Sequence, residues 1–530
     1  MKLEKKSLRD AEEWKKAGYE LPEYDLDIIQ ANTKKKPTWI HFGAGNIFRA
    51  FMAVAQQKLL NEKISDTGII VCEGYDSEII EKVYRKYDNL TIAVSMKQNG
   101  SMDKMVVGSV AESLLLKPET SDWLRLKEIF ENPALQMATF TITEKGYQIK
   151  NASGYLPQIK EDMQVGPEQA KSYMGCLTAL CYLRYLAGKL PLALVSMDNF
   201  SHNGDRLKMA VLTIAEVWEK NNLVEEGFSG YLQDETKISF PWSMIDKITP
   251  RPDSKIKEML ERTGLEGMDI FTTSANTYIA PFVNAEETEY LVIEDNFPNG
   301  RPKLEHAGIL FADRRTVECV EQMKVCTCLN PLHTGLAIFG CLLSYTSISK
   351  EMEDPLLREL AVQIGQEGMP VVVHPGILEP KQFLHEVLYV RLPNPYIPDT
   401  PQRIATDTSQ KLSIRYGETI KAYQKTGKSL EQLRAIPLVI AGWIRYLTGV
   451  DDFGNAMELS PDPRMTELRE KISDIAEKPE MVAGSILADA SVFGQDLSKT
   501  ELAEPVIGFL KEMLTGPHAV RKTLEKYLGQ

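Results

Sequence analysis

The sequence is poor in the features that mark membrane, secreted, metal-bound and nucleic-acid-binding proteins. No apolar run reaches the roughly 18 residues of a membrane span, so no membrane partner is expected. Cysteine is scarce: Cys72, Cys176, Cys181, Cys319, Cys326, Cys328 and Cys341 are an odd number, lying mostly in apolar stretches. That excludes a disulfide framework and predicts reduced thiols in a cytoplasmic compartment. Basic residues are in deficit, 61 Lys and Arg against 74 Asp and Glu, for a net charge of −13. That disfavours nucleic acid as the main partner, because phosphate binding needs a basic surface, and leaves room for a local basic pocket for an anionic substrate. The seven histidines show no H-x-x-x-H or similar ligand spacing. Cys326-x-Cys328 has only His333 nearby, so no metal site is expected. The N-terminus, MKLEKKSLRDAEEWKK, is charged without an apolar core; it predicts no signal peptide, and residues 1–36 read as a helical or extended leader.

What remains is the composition of a globular protein, 43% hydrophobic and 25% charged, in a 530-residue chain long enough for two or three domains. Short β-rich runs at 38–42, 68–72, 90–95, 136–143 and 192–197 alternate with amphipathic stretches at 48–60, 77–87, 123–130 and 166–186. That alternation predicts an α/β fold with a mostly parallel sheet, helices covering both faces. Residues 290–293 add a further strand candidate. After about residue 308 long helical periodicities dominate, at 316–323, 335–344, 357–365, 430–448, 464–478 and 501–514. The expected division is a Rossmann-type domain over 1–300 and a mainly α-helical domain over 301–530, joined at the Gly-, Pro- and Asn-rich loop 296–302. The sequence leaves oligomeric state open.

Four segments carry candidate chemistry. In HFGAGNIFRAF (41–51) a strand runs into a glycine turn and a helix. Gly43 would make the tight turn, and Gly45 would let the backbone approach a pyrophosphate. The helix start at Asn46 and Ile47 would offer free N–H groups, and Arg49 could reach a phosphate. The third glycine of the standard fingerprint is Phe48, so the segment reads either as a cofactor loop or as an ordinary strand–turn–helix corner. The next strand ends in CEGYD (72–76), where Glu73 or, preferred, Asp76 would bind a ribose and select NAD over NADP. TITEKGY (141–147), with Thr143 and Glu144, and SMDNFSHNG (196–204), with Asn199, are strand-to-loop ends where ligands of such sheets lie. In EQMKVCTCLNPLHTG (321–335), Glu321 and Lys324 share a helix face, as do Asn330 and His333. A lysine desolvated in a cleft could exchange protons near neutrality.

Together with FPWSMIDKITP (240–250), VIEDNFPNGRPKLE (292–305) and RLPNPYIPDTPQRIATDTSQK (391–411), these segments resemble the polyol-specific long-chain dehydrogenase/reductase family. This is the mannitol dehydrogenase and fructuronate reductase group. The resemblance implies NAD(P)-dependent, metal-independent exchange of a secondary alcohol and a ketone. It implies that Lys324 is the acid/base, that Asn199 and Asn330 hold the reacting oxygen, that His333 positions substrate and that Glu321 assists proton passage. The Lys324-to-Asn330 interval is one residue longer than the family's usual spacing. Since one residue rotates a helical side chain by roughly 100°, either the helix carries a bulge or a subgroup spaces the site differently. The motifs lie nearer the fructuronate reductase branch, so the expected reaction is NADH-dependent reduction of D-fructuronate to D-mannonate. Asp246, Lys247, Arg251 and Arg391 are the substrate candidates, with Arg415 a further cation near these motifs. Mannitol 2-dehydrogenase and tagaturonate reductase remain alternatives within the family. A non-catalytic NAD-binding protein is the alternative outside it.

Overall fold

The computed structural model describes residues 1–529. The chain divides into two compact units, Met1–Val317 and the chain from Glu318 onward. The division falls later than the loop 296–302 because Leu310–Ala312 pairs in parallel with Tyr290–Glu294 and so belongs to unit 1.

Unit 1 is built on six strands: β1 (Trp39–Phe42), β2 (Ile69–Glu73), β3 (Val110–Leu115), β4 (Met137–Phe140), β5 (Leu192–Ser196) and β6 (Ile238–Ser239). Every neighbouring pair is parallel. Their spatial order, β6-β5-β4-β1-β2-β3, is that of the Rossmann dinucleotide fold. β1, β2, β4 and β5 are buried at every position, as strands must be when helices cover both faces. Side chains of β1 separate accordingly. Ile40 and Phe42 enter one core with Phe130, Leu177 and Trp218; Trp39 enters another with Phe48, Leu59 and Tyr84. Strand order reverses between β1 and β4, so the crevice beyond their carboxyl ends is the position where this fold takes ligands.

Two expectations change. The strand at 90–95 exists, as Thr91–Met96, but lies in a separate sheet. There it is antiparallel to Met102–Val107 and parallel to Phe282–Glu286. The turn around Asn99-Gly100, with Gly100 at φ +84°, is a hairpin signal that accounts for the antiparallel pairing, and β3 takes the outer place beside β2. The first 36 residues are integral to unit 1. Tyr19–Glu20 pairs in parallel with Met102–Val107, and Leu3, Trp14 and Tyr19 are buried against Tyr87, Ile92 and Phe282.

Unit 2 is helical. The helix α1 (Arg314–Met323) continues through a five-residue π turn, Lys324–Cys328, into α2 (Asn330–Leu342). From Pro331 to Leu342, His333 apart, every residue of α2 is buried, as in a helix enclosed by others. A Cβ on Gly335 would come within 2.5 Å of Ile364, and one on Gly442 would come within 2.6 Å of Phe339. The surrounding helices include Pro355–Gly368 and Ala435–Tyr446. Because α1, the π turn and α2 join, Arg314–Leu342 is long and apolar enough to cross a membrane by length and composition, a run the sequence reading did not anticipate. Its apolar window is 78% buried inside the protein.

Candidate active site

The glycine turn is shaped by close contacts. Gly43 has φ +110°, and a Cβ there would lie 2.2 Å from the Thr141 carbonyl oxygen at the end of β4. Only glycine fits. Gly43 N–H donates to Cys72 O at 2.8 Å, tying the turn to β2. Beside Gly45, by contrast, a Cβ would meet nothing within 4 Å, which is open space over the backbone. The helical turn beginning at Asn46 and Ile47 leaves its first N–H groups without helical partners. An approachable backbone and a helix start are what a pyrophosphate requires, so the turn fits a dinucleotide. Phe48 is fully buried and stacks on His41, ring centroids 4.3 Å apart and planes 14° apart. His41 is itself enclosed, its Nδ1 2.6 Å from Thr139 Oγ1 and its Nε2 2.9 Å from Thr141 Oγ1; burial holds its pKa down to about 3. The aromatic in the third glycine position is thus a core residue anchored to β1.

Arg49 does not reach outward for a phosphate. It is buried, and its guanidinium donates to Ala280 O at 2.7 Å, Thr91 Oγ1 at 3.2 Å and Asn46 Oδ1 at 2.8 Å. Its work is to brace the loop from behind, and the Asn46 amide in turn donates to Pro250 O at 3.1 Å. The two acids after β2 also separate. Asp76 caps the following helical turn, accepting from Glu78 N–H and, at 2.6 Å, from Thr273 Oγ1. Glu73 is the one that touches the glycine turn, its Oε2 accepting from Ala44 N–H at 2.8 Å while Oε1 accepts from Tyr75 and Asp76 N–H. Glu73, rather than the preferred Asp76, is the acid in contact with the glycine turn.

The loops after β4 and β5 are joined by a residue that the sequence reading passed over. Asp198 accepts from Ile142 N–H (2.9 Å), Thr143 N–H (3.0 Å) and Tyr147 Oη (2.7 Å); burial raises its pKa against these bonds. It holds Thr143 at φ +62°, a strained conformation for a β-branched residue. Thr143, Glu144 and Asn199 lie exposed around this clamp.

Among the substrate candidates of unit 1, Lys247 is corrected. Its buried ammonium pairs with Glu289 at 2.8 Å and donates to Glu286 O, so its charge is already matched inside the protein. Asp246 is buried at the end of Ser243–Asp246. Arg251 is exposed, its guanidinium 4.5 Å from the Tyr278 ring centroid.

In unit 2, Lys324 is only 3% exposed and opens the π turn. Leu329 N–H bonds to Lys324 O across five residues at 3.1 Å, so the wide turn takes up one residue between Lys324 and Asn330. This is the bulge the longer interval called for, and π turns recur at functional sites. Neighbouring helices hold the turn. Thr419 Oγ1 donates to Cys326 O, and Tyr416 Oη to Pro331 O at 2.6 Å. Asn330 begins α2 with Pro331 beside it, where a missing N–H costs nothing. Glu321, one turn before Lys324, is half-buried. His333 is 15% exposed, with Nε2 3.4 Å from Asp399 Oδ2; burial, reinforced by Arg391, Arg415 and Arg403, lowers its pKa to about 4 against the pull of Asp399. It is neutral at pH 7. Arg391 is buried at the end of a second π turn, Val387–Arg391. Asp399 and Arg403, which pair four residues apart, were the members of this cluster not singled out beforehand. Among the described residues no group of three or more His, Cys, Asp or Glu is placed to hold a metal ion, and burial pushes the Cys326 and Cys328 thiols up to about 12.

A doubly wound unit with a dinucleotide turn, followed by a helical unit carrying a buried lysine, has the layout of a Rossmann-type dehydrogenase. The chain belongs to the mannitol dehydrogenase family: residues 37–306 match its Rossmann domain and residues 316–514 its C-terminal domain. It is 53% identical to a D-mannonate oxidoreductase of Thermotoga maritima, covering 100% of this chain and 99% of that one. A D-mannonate oxidoreductase of Escherichia coli is 30% identical over 89% of this chain and 93% of its own. Among solved structures, Pseudomonas fluorescens mannitol 2-dehydrogenase in a ternary complex with NAD and D-mannitol aligns with TM-score 0.70 and 25% identity over 100% of both chains. A D-sorbitol dehydrogenase shares the fold, with TM-score 0.80 over 96% of this chain and 98% of its own.

Proposed function

We propose that the protein is an NAD-dependent, metal-independent oxidoreductase that reversibly reduces D-fructuronate to D-mannonate in the cytoplasm. The observation that carries this reading is the 53% identity, end to end, with a D-mannonate oxidoreductase. We assign dinucleotide binding to unit 1 and proton chemistry to unit 2. The cofactor, when bound, supplies the hydride that goes to the ketone carbon. Gly43, Gly45, Asn46 and Ile47 receive its pyrophosphate, Glu73 its ribose, and Thr143 and Glu144 flank it. As the carbonyl oxygen gains charge, the amide of Asn330 stabilises it. The Lys324 ammonium gives that oxygen its proton and is left as a neutral amine, with Glu321 passing a proton back; in the oxidation Lys324 is the base. Neutral His333 directs a substrate hydroxyl.

The test is NADH consumption with D-fructuronate, D-tagaturonate and D-fructose in parallel, with and without EDTA. Turnover selective for D-fructuronate and indifferent to EDTA supports the reading. Selectivity for D-tagaturonate or D-fructose moves the substrate within the family. NADH binding without turnover of any of the three sinks the enzymatic reading.

A further inference from the structure

Arg391, Arg403 and Arg415 all act on His333, and the acid acting on it is Asp399. Asp399 is already taken up by Arg403 and by the His333 ring. Lys411 adds a further cation beside Arg415; its ammonium donates to Thr406 O, and burial lowers its pKa, with Arg415 acting in the same direction and Asp407 and Asp462 against it.

Arg415 stands out within this group. It sits in the middle of the π turn Ser413–Gly417, next to fully buried Tyr416, whose hydroxyl anchors Pro331. Its Nη1 donates to Thr334 Oγ1, one residue past His333. Among the described residues it makes no ion pair, although it is largely withdrawn from water and burial pulls its pKa down to about 10. A desolvated guanidinium whose direct partner is a neutral hydroxyl has lost hydration without gaining a carboxylate, and its planar fork suits one.

Resting on the functional reading above, we propose that Arg415 binds the substrate's carboxylate and thereby sets the preference for a keto-uronate over a neutral ketose. Thr334 orients the guanidinium, and Arg415 lies near enough to His333 to act on its ring. A charge-assisted pair of this kind stabilises the complex by about 1.5–3 kcal/mol, equivalent to roughly 10- to 150-fold in affinity.

The experiment compares wild type, Arg415→Met and Arg415→Lys, measuring kcat and KM with D-fructuronate and D-fructose and NADH affinity by fluorescence. The expected result for Arg415→Met is a rise of about 10- to 150-fold in KM for D-fructuronate, with NADH affinity close to wild type and a smaller loss on fructose, so that the uronate-to-fructose ratio of kcat/KM falls. Arg415→Lys, which keeps the charge but not the fork, should recover part of the loss. The proposal is overturned by a D-fructuronate KM in Arg415→Met within about threefold of wild type, by an equal fall in kcat/KM on both substrates, or by a loss of NADH affinity. If the wild type turns over no uronate, the functional reading falls and this proposal with it. Uronate turnover with an unchanged uronate-to-fructose ratio in the variants overturns the role of Arg415 alone.

Discussion

Replacing Phe48 with glycine would restore the standard three-glycine fingerprint, and the structure says that it would damage the protein. Phe48 is fully buried among Trp39, Phe51, Met52 and Val71, and its ring lies flat against His41. Removing a buried Phe side chain costs about 3–5 kcal/mol. Leaving glycine rather than alanine in the helical turn Phe48–Met52 adds about 1 kcal/mol. The expected loss is therefore about 4–6 kcal/mol, or a fall in melting temperature of roughly 8–12 °C at about 2 °C per kcal/mol. The fall should come with weaker NADH binding, because His41, once unstacked, no longer holds Thr139 and Thr141 at the end of β4, against which the Gly43 turn closes. The assay is thermal unfolding by circular dichroism together with NADH titration. A variant that melts within about 2 °C of wild type and binds NADH as well or better would refute the reasoning, showing that Phe48 is a dispensable departure from the fingerprint.

Three further outcomes are expected. Lys324→Ala should lower turnover by about 10²- to 10⁴-fold while NADH affinity, measured by fluorescence, stays near wild type; a loss below about tenfold would remove Lys324 from the proton transfer. His41 and His333 have folded pKa values of about 3 and about 4 against 6.5 unfolded, so the unfolded chain takes up their protons first. Their contribution is complete above pH 6.5 and is lost as pH falls. Unfolding free energy should drop by about 1.4 kcal/mol per pH unit for each histidine between pH 6.5 and 4, and urea titrations should show His333→Asn removing about half of that histidine slope. Asp198→Asn keeps one acceptor oxygen and turns an NH₂ group against the donor or donors of the other; it should cost about 1–3 kcal/mol and raise the NADH dissociation constant, and unchanged binding would show that the Thr143 clamp has no part in holding the cofactor.

The positions of β1, β2, β4 and β5, the glycine turn and the change to helix after about residue 308 could all be read from patterns one element long, whereas β3 and β6 were not among the strands read and the strand order came only with the structure. A buried strand announces itself as WIHF or LALVS. The rest depended on partners distant in the chain. Thr91–Met96 has a strand's composition, but its sheet was decided by pairing with Phe282–Glu286, nearly two hundred residues away. Arg49 and Lys247 look like available cations until Ala280 and Glu289 fold against them. Asp198, adjacent to the Asn199 that was singled out, gains meaning only when the backbone of Ile142 and Thr143 arrives beside it. The π turn at Lys324–Cys328 is the opposite case. A one-residue excess in spacing was visible in the sequence, and the wide turn is how the helix accommodates it.

The most direct test of the account is the reverse reaction, formation of NADH from NAD with D-mannonate or D-mannitol as the sole donor. The account predicts NADH from D-mannonate and little from D-mannitol. NADH from D-mannitol with none from D-mannonate would keep the fold and the lysine chemistry but contradict the claim that this enzyme acts on a sugar acid.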